Sequence, residues 1–210
     1  MHAMWILVAL LGGCGGDQTP VQADVAPLPP VVQAELLHLD AKVEVTTVKN
    51  GTVPVVGRFA AAEGELHVQN IDTWEGLIGA IRVPLVQWDS GLALRDERIR
   101  KTFFRVPEVP RAVLEFQAKQ PFSSPRLVGG VADLLLQASL SIGGPPVQVD
   151  LAVRVKREGE RAYTFESTAP VQVAISSLGL SPHLSALVAL CGHESVADGV
   201  TISFKGHLRD

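Results

Sequence analysis

Two cysteines supply the only thiols, and each has neighbours that suggest chemistry. Cys14 follows Leu11-Gly12-Gly13 at the end of an apolar run, where small residues leave its sulfur open to an enzyme that modifies the thiol or cuts beside it. Cys191-Gly192-His193 sets a thiol near an imidazole. That pairing can start a metal site or an activated nucleophile, but with no further ligand it reads as a buried, inert cysteine. No Gly-x-Ser-x-Gly elbow, Cys-x-x-Cys pair or phosphate loop is present, and His38, His67, His183, His193 and His207 show no metal-ligand spacing. Catalysis is not expected, and a constellation assembled only in space is the remaining route to it.

The densest polar stretch is Arg95-Asp96-Glu97-Arg98-Ile99-Arg100-Lys101, which ends in Phe103-Phe104 and is followed by Pro107 and Pro110. Two readings fit it. Asp96 with Arg100 and Glu97 with Lys101 make i,i+4 pairs on a short solvated helix, each contributing a few tenths of a kcal/mol. Alternatively the segment is a lid: Phe103 and Phe104, anchored through Ile99, close an apolar interior, while Arg95 and Asp96 fix the lid to a rim or meet a polar head group.

The segments around this stretch alternate with period two. Lys42 to Thr46, then Asn50-Gly51, then Val53 to Phe59 read as a hairpin with a type I′ turn. Glu63-Gly64 predicts a further turn before a separate third strand, Glu65 to Gln69. Ile81, Val83 and Leu85 share a face, with Pro84 marking an edge or bulge. Leu114 with Phe116, Leu134 to Ile142, Val147 to Val155, Tyr163 with Phe165, Val171 to Ile175 and Val200 to Leu208 continue the alternation. Ser181 as N-cap, Pro182 and Gly192 bracket a short helix. Eight or nine antiparallel strands of this kind make a sandwich or a closed barrel. The run of short hairpins, with the last strand free to pair with the first, favours a single antiparallel up-and-down barrel with short helical insertions.

The amino-terminal Trp5 to Leu11 run is too short to span a bilayer as a mature helix and has the form of a targeting segment. Leu11-Gly12-Gly13-Cys14 resembles the lipobox of bacterial lipoproteins, in which the cysteine receives a diacylglycerol and becomes the new amino terminus. The n-region departs from that pattern, offering His2 but no lysine or arginine. Residues 1–13 are thus expected to be a lipoprotein signal peptide, 14–35 a lipidated cysteine with a proline-rich tether, and 36–210 the folded domain. Export to the periplasm follows, and Gly15 after Cys14 favours the outer membrane by similarity to other lipoproteins. With Cys14 lipidated, Cys191 has no disulfide partner, so the core alone must hold the fold.

The chain has 210 residues and a net charge of −4, which leaves no basic excess to neutralise phosphates, so no nucleic-acid partner is expected. Composition says nothing about oligomeric state.

From Leu39-Asp40 to Leu208 the sequence resembles the YceI-like family of lipid- and polyisoprenoid-binding proteins. The residues that carry this are Gly57-Arg58-Phe59, Arg95-Asp96-x-x-Ile99-x-x-x-Phe103-Phe104, Pro110, Ala138 to Val147 with its Gly143-Gly144-Pro145-Pro146 turn, and Val200 to Phe204. Lys42 and Val43 stand where the family often has a histidine-serine pair; Ser176, Leu178 and Gly179 stand where it often has an arginine, an aromatic residue and glycine. The resemblance implies a lipocalin-like barrel with an apolar tunnel and no cofactor beyond a bound isoprenoid, quinone or fatty-acid chain. The expected lining is Leu114, Phe116, Leu136, Leu140, Val149, Leu151, Val153, Val173 and Phe204, with Ile99, Phe103 and Phe104 at the lid. The competing expectation is a filled barrel acting as a structural or protein-interaction module of the envelope.

Overall fold

In a computed structural model that describes residues 34–120 and 122–210, nine strands form one antiparallel sheet. They are β1 (Glu35–Lys49), β2 (Val53–Val68), β3 (Ile78–Pro84), β4 (Arg111–Ala118), β5 (Val131–Ser141), β6 (Val147–Arg157), β7 (Tyr163–Ser167), β8 (Val171–Ala174) and β9 (Gly199–Arg209). Each pairs with its predecessor as far as β7, and β9 then pairs with β1 from His38↔Arg209 to Thr46↔Thr201, closing the ring. β7 and β8 both lie along the same edge of β9, β7 at Leu208 to Lys205 and β8 at Ile202 to Gly199, so nine strands make eight staves. The predicted antiparallel up-and-down barrel is the observed one. The expected targeting segment, Cys14 and most of the expected tether fall outside the described residues.

Helical pieces interrupt the barrel at the upper end, where the β1–β2 hairpin turns. A 3-10 turn (Leu85–Gln87), α1 (Ala93–Arg98) and a π-helical turn (Ile99–Phe103) lie between β3 and β4, and α2 (Ser181–Cys191) lies between β8 and β9. The hairpin turn has the residues its geometry needs: Asn50 and Gly51 have φ of 49° and 76°. Leu180 rather than Ser181 caps α2, and Gly192 ends it in the left-handed conformation, φ 63°.

The expected turn at Glu63-Gly64 does not exist. β2 runs unbroken for 16 residues, and Glu63 and Gly64 sit inside it, opposite Asp40 and Leu39. Glycine is needed there for close approach, because a Cβ on Gly64 would press into the Ala80 carbonyl of β3. The irregularity of this long pair lies elsewhere: Ala41 faces Ala62 but Val43 faces Phe59, a bulge at Ala60-Ala61 that keeps both Phe59 and Ala62 on the inner face.

Alternation then does the sorting. Along β6, Leu151, Val153 and Val155 are buried while Gln148, Asp150, Arg154 and Lys156 are exposed, so an interior core forms from every second residue. Outside, Arg154 grips Asp133 through two hydrogen bonds of 2.9 and 3.0 Å and holds its carboxyl below the usual carboxylate range. Such exposed pairs contribute little to stability.

Candidate functional site

The barrel is filled below and empty above. At the lower end Trp74 and Tyr163, both 2% exposed, meet in a T-shaped contact with ring centroids 5.0 Å apart, and Phe122 leans on Trp74. The void left there is only about 40 Å³, lined by Leu39, Leu66, Leu136, Val153 and neighbours. The upper half encloses about 190 Å³. An apolar cavity of about 150 Å³ is enough to stay dry and take up benzene. Every wall of the upper cavity is apolar save for Thr47 at its rim: Val43 and Val45 from β1, Leu140 and Ile142 from β5, Val149 and Leu151 from β6, Val173 from β8, Phe204 from β9. Ile81, Leu114, Leu151 and Phe204 border both voids and form the partition between them.

All twelve side chains expected to line an interior do face one of these two spaces. Ile99, Phe103, Phe104, Leu114, Leu140, Val149, Leu151, Val173 and Phe204 border the upper one, and Phe116, Leu136 and Val153 border only the lower. The sequence reading missed the tryptophan at the centre of the lid. Trp88 follows the 3-10 turn and packs on Gly57 of β2, with ring centroids 5.3 Å from Phe59 and 5.6 Å from Phe104. Its indole N–H, like that of Trp74, has no hydrogen-bond partner, and both tryptophans instead make T-shaped contacts with neighbouring rings. The one available signal was Gly57, a glycine in a strand where a bulky group approaches.

The π-helical turn explains the paired phenylalanines. The Phe104 N–H bonds to the Ile99 carbonyl at 2.9 Å, an i→i+5 bond that widens the turn, so that Phe103 and Phe104 both pack inward with Ile99. α2 covers this turn. Leu184 and Leu187 face the cavity, and His183 Nδ1 lies 3.1 Å from the Phe103 carbonyl.

Neither Arg95 nor Asp96 lines the cavity. Asp96, 5% exposed, accepts bonds from the backbone N–H of Ser90 at 3.0 Å and from the Ser90 hydroxyl. Arg95 donates to the Ser90 hydroxyl at 2.7 Å and to the Ser90 carbonyl at 2.6 Å. Ser90 follows Asp89, whose backbone pairs in both directions with Arg58 on β2. The two charges therefore clip α1 to a segment that is itself bonded to the wall. The expected surface pair of Asp96 with Arg100 is not formed, because Asp96 is buried on Ser90 and Arg100 donates to the Trp88 carbonyl at 2.8 Å. Glu97 and Lys101 do pair, at 2.8 Å, and that hydrogen bond lowers the Glu97 carboxyl below its ordinary range. Asp96→Ala, which strands the Ser90 donors, is expected to cost about 1–3 kcal/mol in urea unfolding. Glu97→Ala is expected to change the midpoint hardly at all.

Cys191 also differs from expectation: it is half-buried, and Arg98 Nη1 lies 3.7 Å from its sulfur. Among the described residues no three histidine, cysteine or acidic side chains gather as metal ligands.

Residues 37–208 match the YceI-like domain family. The chain belongs to that family. Among solved structures, a polyisoprenoid-binding domain from Saccharophagus degradans implicated in plant cell wall breakdown superposes with a TM-score of 0.70 at 16% identity, over 82% of this chain and 97% of that one. Burkholderia cenocepacia BcnA gives 0.59 at 16% identity, over 80% and 95%. The Campylobacter jejuni YCEI protein gives 0.53 at 11% identity, over 73% and 84%. At these identities the likeness is one of fold. No curated protein sequence matches the chain. Of the residues that carry the resemblance, Gly57 lies under the Trp88 ring and Phe59 beside it, and Arg95 and Asp96 bond to Ser90.

Proposed function

We propose that this protein is an envelope lipoprotein that binds a long apolar lipid, a polyisoprenoid, an isoprenoid quinone or a fatty acyl chain, for carriage or storage. The observation that carries the reading is the upper cavity of about 190 Å³ with its apolar walls. Each methylene moved from water into such a space contributes about 0.8 kcal/mol, and no catalytic group is needed. The Saccharophagus relative, described as polyisoprenoid-binding, supports the same ligand class. A chain longer than the upper cavity reaches the lower void only if Phe204, Leu114, Leu151 and Ile81 give way.

The filled lower half, with Trp74 and Tyr163 packed across it, favours a second reading: a barrel that serves as a protein-interaction module of the envelope. Organic extraction of the purified Cys14→Ser chain, followed by mass spectrometry, separates the two. A stoichiometric lipid is expected. Its reproducible absence, with no uptake of added quinone or isoprenoid, leaves the interaction module standing.

The membrane anchor rests on Leu11-Gly12-Gly13-Cys14. Two acyl signals or more make anchoring stable, and Cys14→Ser is expected to abolish labelling by an alkynyl fatty acid. Retention of label in that variant rules out lipidation at Cys14. Gly15 supports the outer membrane as its location.

A further inference from the structure

The wall of the barrel is not bonded all the way round. In its lower half β6 pairs with β7, from Arg157↔Tyr163 to Val153↔Ser167, and the last bond of this run joins the Thr168 N–H to the Ala152 carbonyl at 2.9 Å. Above it the stave is broken by Ala169-Pro170 and resumes as β8, which pairs with β9 alone. Among the described residues no backbone hydrogen bond joins Val147 to Leu151 of β6 to Val171 to Ala174 of β8. Two strand edges thus face each other unpaired. The seam is closed at its top as well: Gly144 packs under the Leu178 carbonyl, and Gly179 lies against Pro145.

Behind this seam lies the upper cavity. Val149 and Leu151 line it from one side of the seam, and Val171, Val173 and Ile175 from the other. On the outer side stand Gln148, Asp150 and Gln172, all exposed. Among the described residues around the upper cavity, the other unbonded stretch of wall, the upper half of β2, is plugged by Trp88 and its aromatic cluster and pinned through Arg58 and Asp89. Parting β6 from β8 breaks no ladder hydrogen bond among the described residues. Opening the upper cavity at any other stave, or under the helical segments, means breaking backbone bonds or displacing packed rings.

We infer that the β6–β8 seam is the portal through which an apolar chain enters and leaves the upper cavity, sideways through the wall rather than end-on past Trp88 or α2. This rests on the lipid-binding reading above. A chain-like ligand gains from such a route, because it passes its length through a slit at once instead of threading link by link.

The test uses the full chain carrying Cys14→Ser and Cys191→Ser, to which Gln148→Cys and Gln172→Cys are added so that the seam can be locked by oxidation or, where the thiols stand too far apart, by a short bismaleimide. Gln117→Cys with Gln137→Cys serves as control; these residues are exposed register partners on the bonded β4–β5 ladder. The probe is cis-parinaric acid, whose fluorescence rises in apolar surroundings, mixed in a stopped-flow instrument. The locked seam is expected to load and release the probe at least about tenfold more slowly than its reduced form, with the same final amplitude, while the locked control is unchanged. Equal rates in locked and reduced seam, or equal slowing in the control, overturn the portal and leave lipid binding intact. If none of the forms, the parent included, takes up the probe, the lipid-binding reading falls and the portal falls with it.

Discussion

A chain carrying Val45→Phe and Val149→Phe is expected to lose lipid binding by about 100-fold while melting at or above the parent temperature. Both valines border the upper cavity and both are only partly buried, packed against the core on one side and bordering the void on the other. Two added rings there take the place of roughly four methylenes of ligand. At about 0.8 kcal/mol each, that is about 3 kcal/mol of lost burial, or a little over two decades in Kd. The sign of the stability change is what makes the experiment decisive. In a packed core, overfilling costs about 1–3 kcal/mol, whereas filling a true void commonly adds about 0.5–2. Weaker binding with a raised melting temperature therefore means that the ligand and the new rings compete for the same space. Undiminished uptake of lipid by the double variant sinks the upper cavity as the binding site.

The inward set of this barrel was readable because each long strand packs one face only. Leu134, Leu136, Leu151 and Val153 alternate with Asp133, Gln137, Asp150 and Arg154, while the outward Leu135 interrupts that pattern. Two kinds of feature escaped it. Gly64 reads as a turn because its role, admitting the Ala80 carbonyl, depends on a strand that comes later in the chain. Trp88 sits in a segment without periodicity, and its contacts join it to Gly57 and Phe59 of β2 and to Phe104 just past the π-helical turn. Alternation also says which side chains point inward but not how much room they leave. Phe116 and Phe204 carry the same signal, yet one borders the small lower void alone and the other stands between both. Trp74, from a loop, helps to fill the lower half, whereas the larger void lies in the upper half, bordered by Trp88, Phe103, Phe104 and Leu187. The Asp96 clip was hidden for a related reason. A carboxylate at i with an arginine at i+4 looks like a surface pair until Ser90, six residues earlier, is seen to take it.

Gly57→Ala is expected to destabilise the protein by about 1–2 kcal/mol, although alanine suits an extended strand better than glycine. The backbone term favours the substitution by about 0.5–1 kcal/mol, since Gly57 lies within β2 and its φ is not left-handed. Against it stands the Trp88 ring, which occupies the place where the new methyl would go. A long flexible side chain could swing aside at little cost, but this indole is held in T-shaped contact by Phe59 and Phe104, and Phe104 in turn meets Phe103 with centroids 5.0 Å apart. To make room, the ring must push the lid outward, an overpacking cost of about 1–3 kcal/mol that outweighs the backbone gain. Trp88→Phe alone leaves a gap above Gly57 and is likewise expected to destabilise. Combined, the smaller ring and the added methyl fill each other's misfit, so urea unfolding followed by far-ultraviolet circular dichroism should show the double variant about 1–2 kcal/mol more stable than the two single losses predict. Strict additivity would falsify the direct ring-on-glycine contact as the cause. A coupling of that size instead makes the Trp88–Gly57 contact the hinge pin of the lid: the plug that keeps the upper half of β2 shut and leaves the β6–β8 seam as the weaker part of the wall.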